Sequence, residues 1–191
     1  MRGKILIALL VALVVLLFPM PVEINHNGVG EINQGNAKKI TSPLNYGAVV
    51  CIKIIRADGT IEDVGCSGNV VTEAGLNHIK YLVGEGASSE AVKYLALGNG
   101  SAPTISSTYL DNEITNCGLA RAEGTYTSNG VGNWTRSKTW TCTCDGVYVN
   151  TTALFNATSG GTMFAGYSFS TRILYENDQL QESWTIWISE S

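Results

Sequence analysis

The chain has 191 residues, 12 of them basic and 16 acidic, a formal net charge of −4 and a mean hydropathy of +0.10. This is the length of one ordinary domain, and an acidic balance argues against a nucleic-acid partner, which needs clustered Lys and Arg. Charged residues are only 15% of the total, so hydroxyls and amides must cover much of the surface, a profile that suits strands with polar outer faces.

Arg2 and Lys4 precede an uninterrupted apolar run over residues 5–18, which stops at Pro19-Met20-Pro21. A basic head before a short greasy stretch fits an export signal, or an anchor kept in the bilayer. Both readings of residues 1–21 stay open. No small-x-small pair marks a cleavage point, and the run is a little shorter than the ~20 residues that span a bilayer. The rest of the chain is expected outside the cytoplasm, extracellular or at a cell surface, and its net charge is near −6 because both leader charges are basic.

Residues 22–46 are polar and broken by Gly28, Gly30, Gly35 and Pro43, with weak alternation at Val22, Ile24, Val29 and Ile32. They read as a stalk, or as an extended arm that adds a strand to a neighbouring copy. Residues 47–191 read as one mostly β domain, an antiparallel, jelly-roll-like β-sandwich with one short helix.

Within it, residues 49–56 and 60–64 are β-prone and flank Asp58-Gly59, a dipeptide suited to a two-residue hairpin. Counting outward with Ala57 facing Thr60 sets Cys51 opposite Cys66, within bridging reach. Thr72 offers an N-cap and Gly84 a stop, so Leu76, Ile79, Leu82 and Val83 predict a helix over 73–83. An apolar strand over 91–97 then runs into Gly98-Asn99-Gly100.

A second hairpin is expected from Gly118 through Tyr126, turning near Gly130 or Val131 and returning from Trp134 to Cys144. That count brings Cys117 beside Cys144. Cys142 is left over: it shares a strand face with Trp140 and Cys144 and reads as a buried thiol, an intermolecular partner, or an alternative partner for Cys117. Met163, Ala165, Tyr167, Phe169 and Thr171 form one inward set, and Trp184, Ile186 and Ile188 another, with Thr185 and Trp187 opposite.

Catalysis has little to work with. His26 lies in the polar arm, His78 lies on the helix as a surface or partly packed residue, and no Ser stands in a nucleophile-elbow pattern. Cys142 and Cys144 lack zinc-site spacing, and Asp111, Asn112 and Glu113 lack the spacing of a calcium loop. The glycine turn at Gly98 lacks the lysine and helix of a phosphate cradle. No enzyme activity, cofactor or metal is expected.

Four sequons begin at Asn99, Asn133, Asn150 and Asn156, all at expected turns or strand ends where an N-linked glycan projects.

Several short motifs carry a resemblance: Gly75-Leu-Asn77, Tyr94-Leu-Ala-Leu-Gly-Asn-Gly100, Thr108-Tyr-Leu-Asp-Asn-Glu113, Gly118-Leu-Ala-Arg-Ala122, Ala153-Leu-Phe-Asn-Ala157, Gly160-Gly-Thr-Met163 and Trp184-Thr-Ile-Trp-Ile188. Over residues 68–188 the chain resembles phage and archaeal-virus virion proteins of tails and fibres. The resemblance implies a non-enzymatic β-sandwich that assembles with its own copies or sits on a virion surface. The export segment, cysteines and sequons depart from that pattern and are closer to secreted archaeal surface filaments, whose subunits are joined by donated strands. The expectation is therefore a structural subunit of an extracellular filament. The alternatives are a viral tail or fibre protein anchored through residues 1–21, and a carbohydrate-binding module that stacks sugars on Trp134 or Trp187.

Overall fold

A computed structural model describes residues 44–85 and 90–190. The apolar segment expected to direct export, most of the polar arm and His26 lie outside these residues. Among the described residues there are ten strands: β1 (Leu44–Ile55), β2 (Ile61–Gly68), β3 (Val70–Val71), β4 (Tyr94–Gly98), β5 (Ala122–Glu123), β6 (Thr125–Gly130), β7 (Asn133–Thr141), β8 (Val147–Phe155), β9 (Met163–Leu174) and β10 (Gln179–Glu190). They form two five-stranded antiparallel sheets, β2-β1-β10-β7-β6 and β3-β9-β8-β4-β5, packed together as a sandwich.

The pairing is nested. β1 pairs with β10, β3 with β9, β4 with β8 and β6 with β7, so the chain resembles one long hairpin rolled into two layers, the ladder pattern of jelly-roll folds. β1 starts at Leu44, opposite Glu190, so the last residues of the expected arm already belong to the sandwich.

Period-two alternation explains the core. Val50, Ile52 and Ile54 of β1 and Leu180, Trp184 and Ile186 of β10 meet Leu95, Leu97, Leu154 and Ala165 of the other sheet in one buried cluster. Each buried Val, Leu or Ile among them contributes ~1.5–3 kcal/mol. Ile188, expected in the inward row, is 41% exposed at the strand end. The row runs the other way, through Glu182 and Leu180. On β9, Tyr167 and Phe169 are half-buried and stacked, while Thr171 is exposed, beside a register shift between β8 and β9 at Val149/Thr151.

The outer face of the second sheet is not left to solvent. Ala96, Ala153, Phe155 and Met163 form a smaller cluster there with Leu110, which comes from the long connection between β4 and β5. That connection acts as a roof, held close because Gly98, Gly100 and Gly166 leave room: a Cβ at Gly166 would lie 2.5 Å from Pro103.

Three expectations are corrected. The first hairpin turns through three residues, with Arg56 N donating to Thr60 O and Gly59 at φ +84°, in place of the two-residue turn. The helix, α1 (Glu73–Lys80), is shorter than expected and ends in a wider turn over Tyr81–Glu85. Thr72 caps it, its Oγ1 accepting from Gly75 N at 2.9 Å. Its packed side carries Gly75 and His78, whereas Leu76 is 52% and Val83 82% exposed, because the helix backbone itself rests on β9: a Cβ at Gly75 would lie 2.2 Å from Phe164 O. Finally, the second hairpin is β6 and β7 alone. Residues before Ala122 belong to the roof, and β5 joins the opposite sheet.

Candidate functional site

Cys51 is joined to Cys66 and Cys117 to Cys144. The first bridge lies on the outward side of β1 and β2. The second ties the end of the roof to the turn after β7, where Thr143 N donates to Cys117 O at 3.0 Å. Cys142 is a free, fully buried thiol whose Sγ donates to Cys144 O at 3.1 Å, and burial pushes its pKa up. Two disulfides suit an oxidising compartment. No helix among the described residues is long and apolar enough to cross a membrane.

The residues that carry the resemblance converge, and what they build is scaffold. Arg121, whose side chain is 6% exposed, forms a two-nitrogen clamp on Glu113, donates to Ala157 O (3.1 Å) and Gly160 O (2.8 Å), and lies 3.5 Å from the centroid of Phe155. Asn156 Oδ1 accepts from Thr162 N at 2.6 Å, fixing the same turn from the other side. Asp111 Oδ2 accepts from Ser101 N at 2.9 Å, which holds its carboxyl below the ordinary value. The acidic trio is thus spent on the roof. Among the described residues no three His, Cys, Asp or Glu side chains are arranged to hold a metal ion.

The roof leaves a shallow cup of about 360 Å³ over residues 101–111, edged by Tyr109 and by the hydroxyls of Thr104, Ser106 and Ser107. Those hydroxyls mostly bond one another and the local backbone. The two tryptophans considered for sugar stacking are both partly buried. Trp187 lies across Gly47, where a Cβ would meet its ring at 2.3 Å, and Trp134 packs against the core.

The sequons separate. Asn99 is exposed in the turn after β4. Asn133 stands at the start of β7, its Oδ1 accepting from Asn129 Nδ2 at 3.1 Å. Asn156 follows β8 directly. Asn150 is not at a strand end: it lies within β8, its Nδ2 donates to Gly100 O at 3.1 Å, and the hydroxyl of its sequon residue Thr152 is buried in the core.

An opening remains along β9. Val70 and Val71 pair only with Gly166 and Ala165, and beyond them, among the described residues, no strand follows the outer edge of β9. At the far end Arg56 Nη1 donates to Ile173 O at 2.8 Å, and Arg172 is ion-paired with Glu62 of β2 at 2.7 Å. Between these closures lie residues 167–171, with the Tyr167 and Phe169 rings half-buried on the inner side.

Sequence reasoning missed Glu182. It is 2% exposed near the start of β10, its Oε1 accepting from Trp184 Nε1 and standing 2.5 Å from Thr152 Oγ1 of the opposite sheet. Burial pushes its pKa up to about 8, against the opposing effect of those two hydrogen bonds. The signal was present: alternation through Leu180, Trp184 and Ile186 sets Glu182 on the inner face.

Neither a protein-family model nor a curated protein matches the sequence.

Proposed function

We propose that the chain is a non-enzymatic subunit of an extracellular filament, exported through residues 1–21 and joined to further copies by an added strand. The observation that supports this reading is the incomplete edge of β9. A strand laid along residues 167–171, ~17 Å of chain, would satisfy open backbone groups and finish burying Tyr167 and Phe169. The edges of the first sheet offer less: β2 carries a bulge at Val64, and every residue of β6 is exposed, its single aromatic, Tyr126, standing 54% exposed, so a strand there completes no half-buried inner row. The natural donor is residues 22–43 of another copy, because alternating side chains and main-chain hydrogen bonds give a directional, repeatable joint. Glycans at Asn99 and the two disulfides would protect the assembled surface.

The test is electron microscopy of purified full-length protein beside a deletion of residues 23–39 and a Ser168→Lys, Ser170→Lys variant. Both changes are expected to abolish long polymers while the monomer stays folded. Unchanged polymers in the deletion remove the donor, and unchanged polymers in the lysine variant remove the acceptor edge.

The resemblance of the short motifs to tail and fibre proteins favours a second reading, a virion structural protein retained at a membrane by residues 1–21. N-terminal sequencing separates the two, since an intact Met1 favours the anchored protein and a start beyond Phe18 the secreted one.

A further inference from the structure

Glu182 belongs to none of the assembly surfaces, and its surroundings pose a question of hydrogen counting. Thr152 Oγ1 lies 2.9 Å from Ala96 O and 2.5 Å from Glu182 Oε1. A threonine hydroxyl has one hydrogen and a backbone carbonyl has none to give. If Thr152 donates to Ala96, the hydrogen in its contact with Glu182 must come from the carboxyl.

We propose that one proton on Glu182 latches the two sheets together, running Glu182 Oε1–H to Thr152 Oγ1–H to Ala96 O across the middle of the sandwich. The chain links β10 of one sheet to β8 and β4 of the other. Without that proton, Thr152 must abandon either Ala96 or the carboxylate, and a buried charge is left with Oε2 unpartnered.

The neighbours on each packed element fit a neutral acid. On β1 the residue opposite Glu182 is Ile52, and on β7 it is Lys138, with Arg136 opposite Trp184. Arg136 donates to Gly124 O at 3.0 Å and lies over the Tyr126 ring, and no ion pair joins Lys138 to Glu182. On β4 and β9 the residues opposite Thr152 are Leu97 and Tyr167. Among the described residues no cation is ion-paired with Glu182, although Lys138 stands opposite it on the neighbouring strand. The raised pKa agrees with this geometry.

The sign follows from linkage. Unfolded, the carboxyl ionises near its ordinary 4.5, whereas folded it keeps its proton to about 8. Its contribution is therefore full in acid and is lost progressively as pH rises between those values. The sandwich should loosen in alkaline medium.

The test compares melting temperatures of the wild type and Glu182→Gln from pH 5 to pH 9. Glutamine does not titrate, and its amide nitrogen can donate to Thr152 but cannot also accept from Trp184 Nε1, so the comparison reads the slope with pH and not the absolute stability. The wild type is expected to fall relative to the variant by on the order of 10 °C across that range. Parallel curves would overturn the latch. Should the variant not fold, infrared spectroscopy of the native protein decides: a protonated-carboxyl band at pH 7 that vanishes in alkali supports the proposal, and its absence sinks it. Lys138→Met serves as a further check, because a change in the pH profile would mean that an ammonium, and not a proton, neutralises Glu182.

Discussion

Cys51 and Cys66 face each other in a register that their own turn does not set. Beside the turn Ile55 pairs with Ile61, and only past the extra residue Val64 does the ladder shift so that Ile52 meets Gly65 and Cys51 meets Cys66. A two-residue turn without a bulge and a three-residue turn with one give the same partner for Cys51. Asp63 Oδ1 accepting from Gly65 N, with Gly65 at φ +107°, fixes the bulge.

The bridge closes a short loop, so its loss has a calculable consequence. Cys51→Ser with Cys66→Ser is expected to lower unfolding free energy by ~3 kcal/mol, measured by denaturant titration. In the same preparations of wild type, thiol reagents should find no reactive cysteine in the native protein and one, Cys142, after unfolding.

Arg121 holds four partners at once, and breaking a nearly buried pair leaves its acid stranded. Arg121→Ala is expected to cost ~3–5 kcal/mol. Lysine cannot reproduce the two-nitrogen grip or the flat contact with Phe155, so Arg121→Lys should recover only part of that loss. Thermal melts of the three proteins check the ranking.

Gly75 is required by contact and not by backbone angle. Gly75→Ala drives a methyl into Phe164 O and should destabilise by ~1–3 kcal/mol, whereas the same change at exposed Gly84, where a Cβ meets nothing, should be far milder. Chemical denaturation of both variants distinguishes a helix seated on the sheet from one that merely covers it.

Acid acts on a different carboxylate. Asp178 is buried, which pushes its pKa up, but the N–H of Tyr175, the Arg56 guanidinium and the N–H of Ala57 together bring it below the usual value. A lowered folded pKa means that its contribution is present at neutral pH and is lost as pH falls through that folded value. Asp178→Asn should therefore flatten the acid limb of the stability profile, as followed by circular dichroism from pH 6 to pH 2.

If the host glycosylates, peptide mass mapping should find a glycan at Asn99 and none at Asn150. Modification of Asn150 would require β8 to be open while the sugar is attached.

Much of the sandwich was legible because its signals are local. Thr72 announces a cap, and alternation along 138–142 and 184–186 marks the inner rows. The roof was not, since Leu110 and Arg121 draw their meaning from Phe155 and Ala157, distant in sequence. Nor did the helix show its packed side: Leu76 and Val83 have the apolar spacing, yet the absent side chain of Gly75 decides which way it lies. Glu182 was readable by position but not by type, because a carboxyl at an inner site is sensible only once Thr152 is seen across the gap.

The twelve-residue ladder between β1 and β10 starts with Leu44 against Glu190 and finishes with Ile55 against Gln179. A reporter placed directly after Glu190 is thereby delivered to the doorstep of the first strand at Leu44. A peptide inserted between Asp58 and Gly59 emerges at the opposite pole, which makes that turn the better mast for display or labelling.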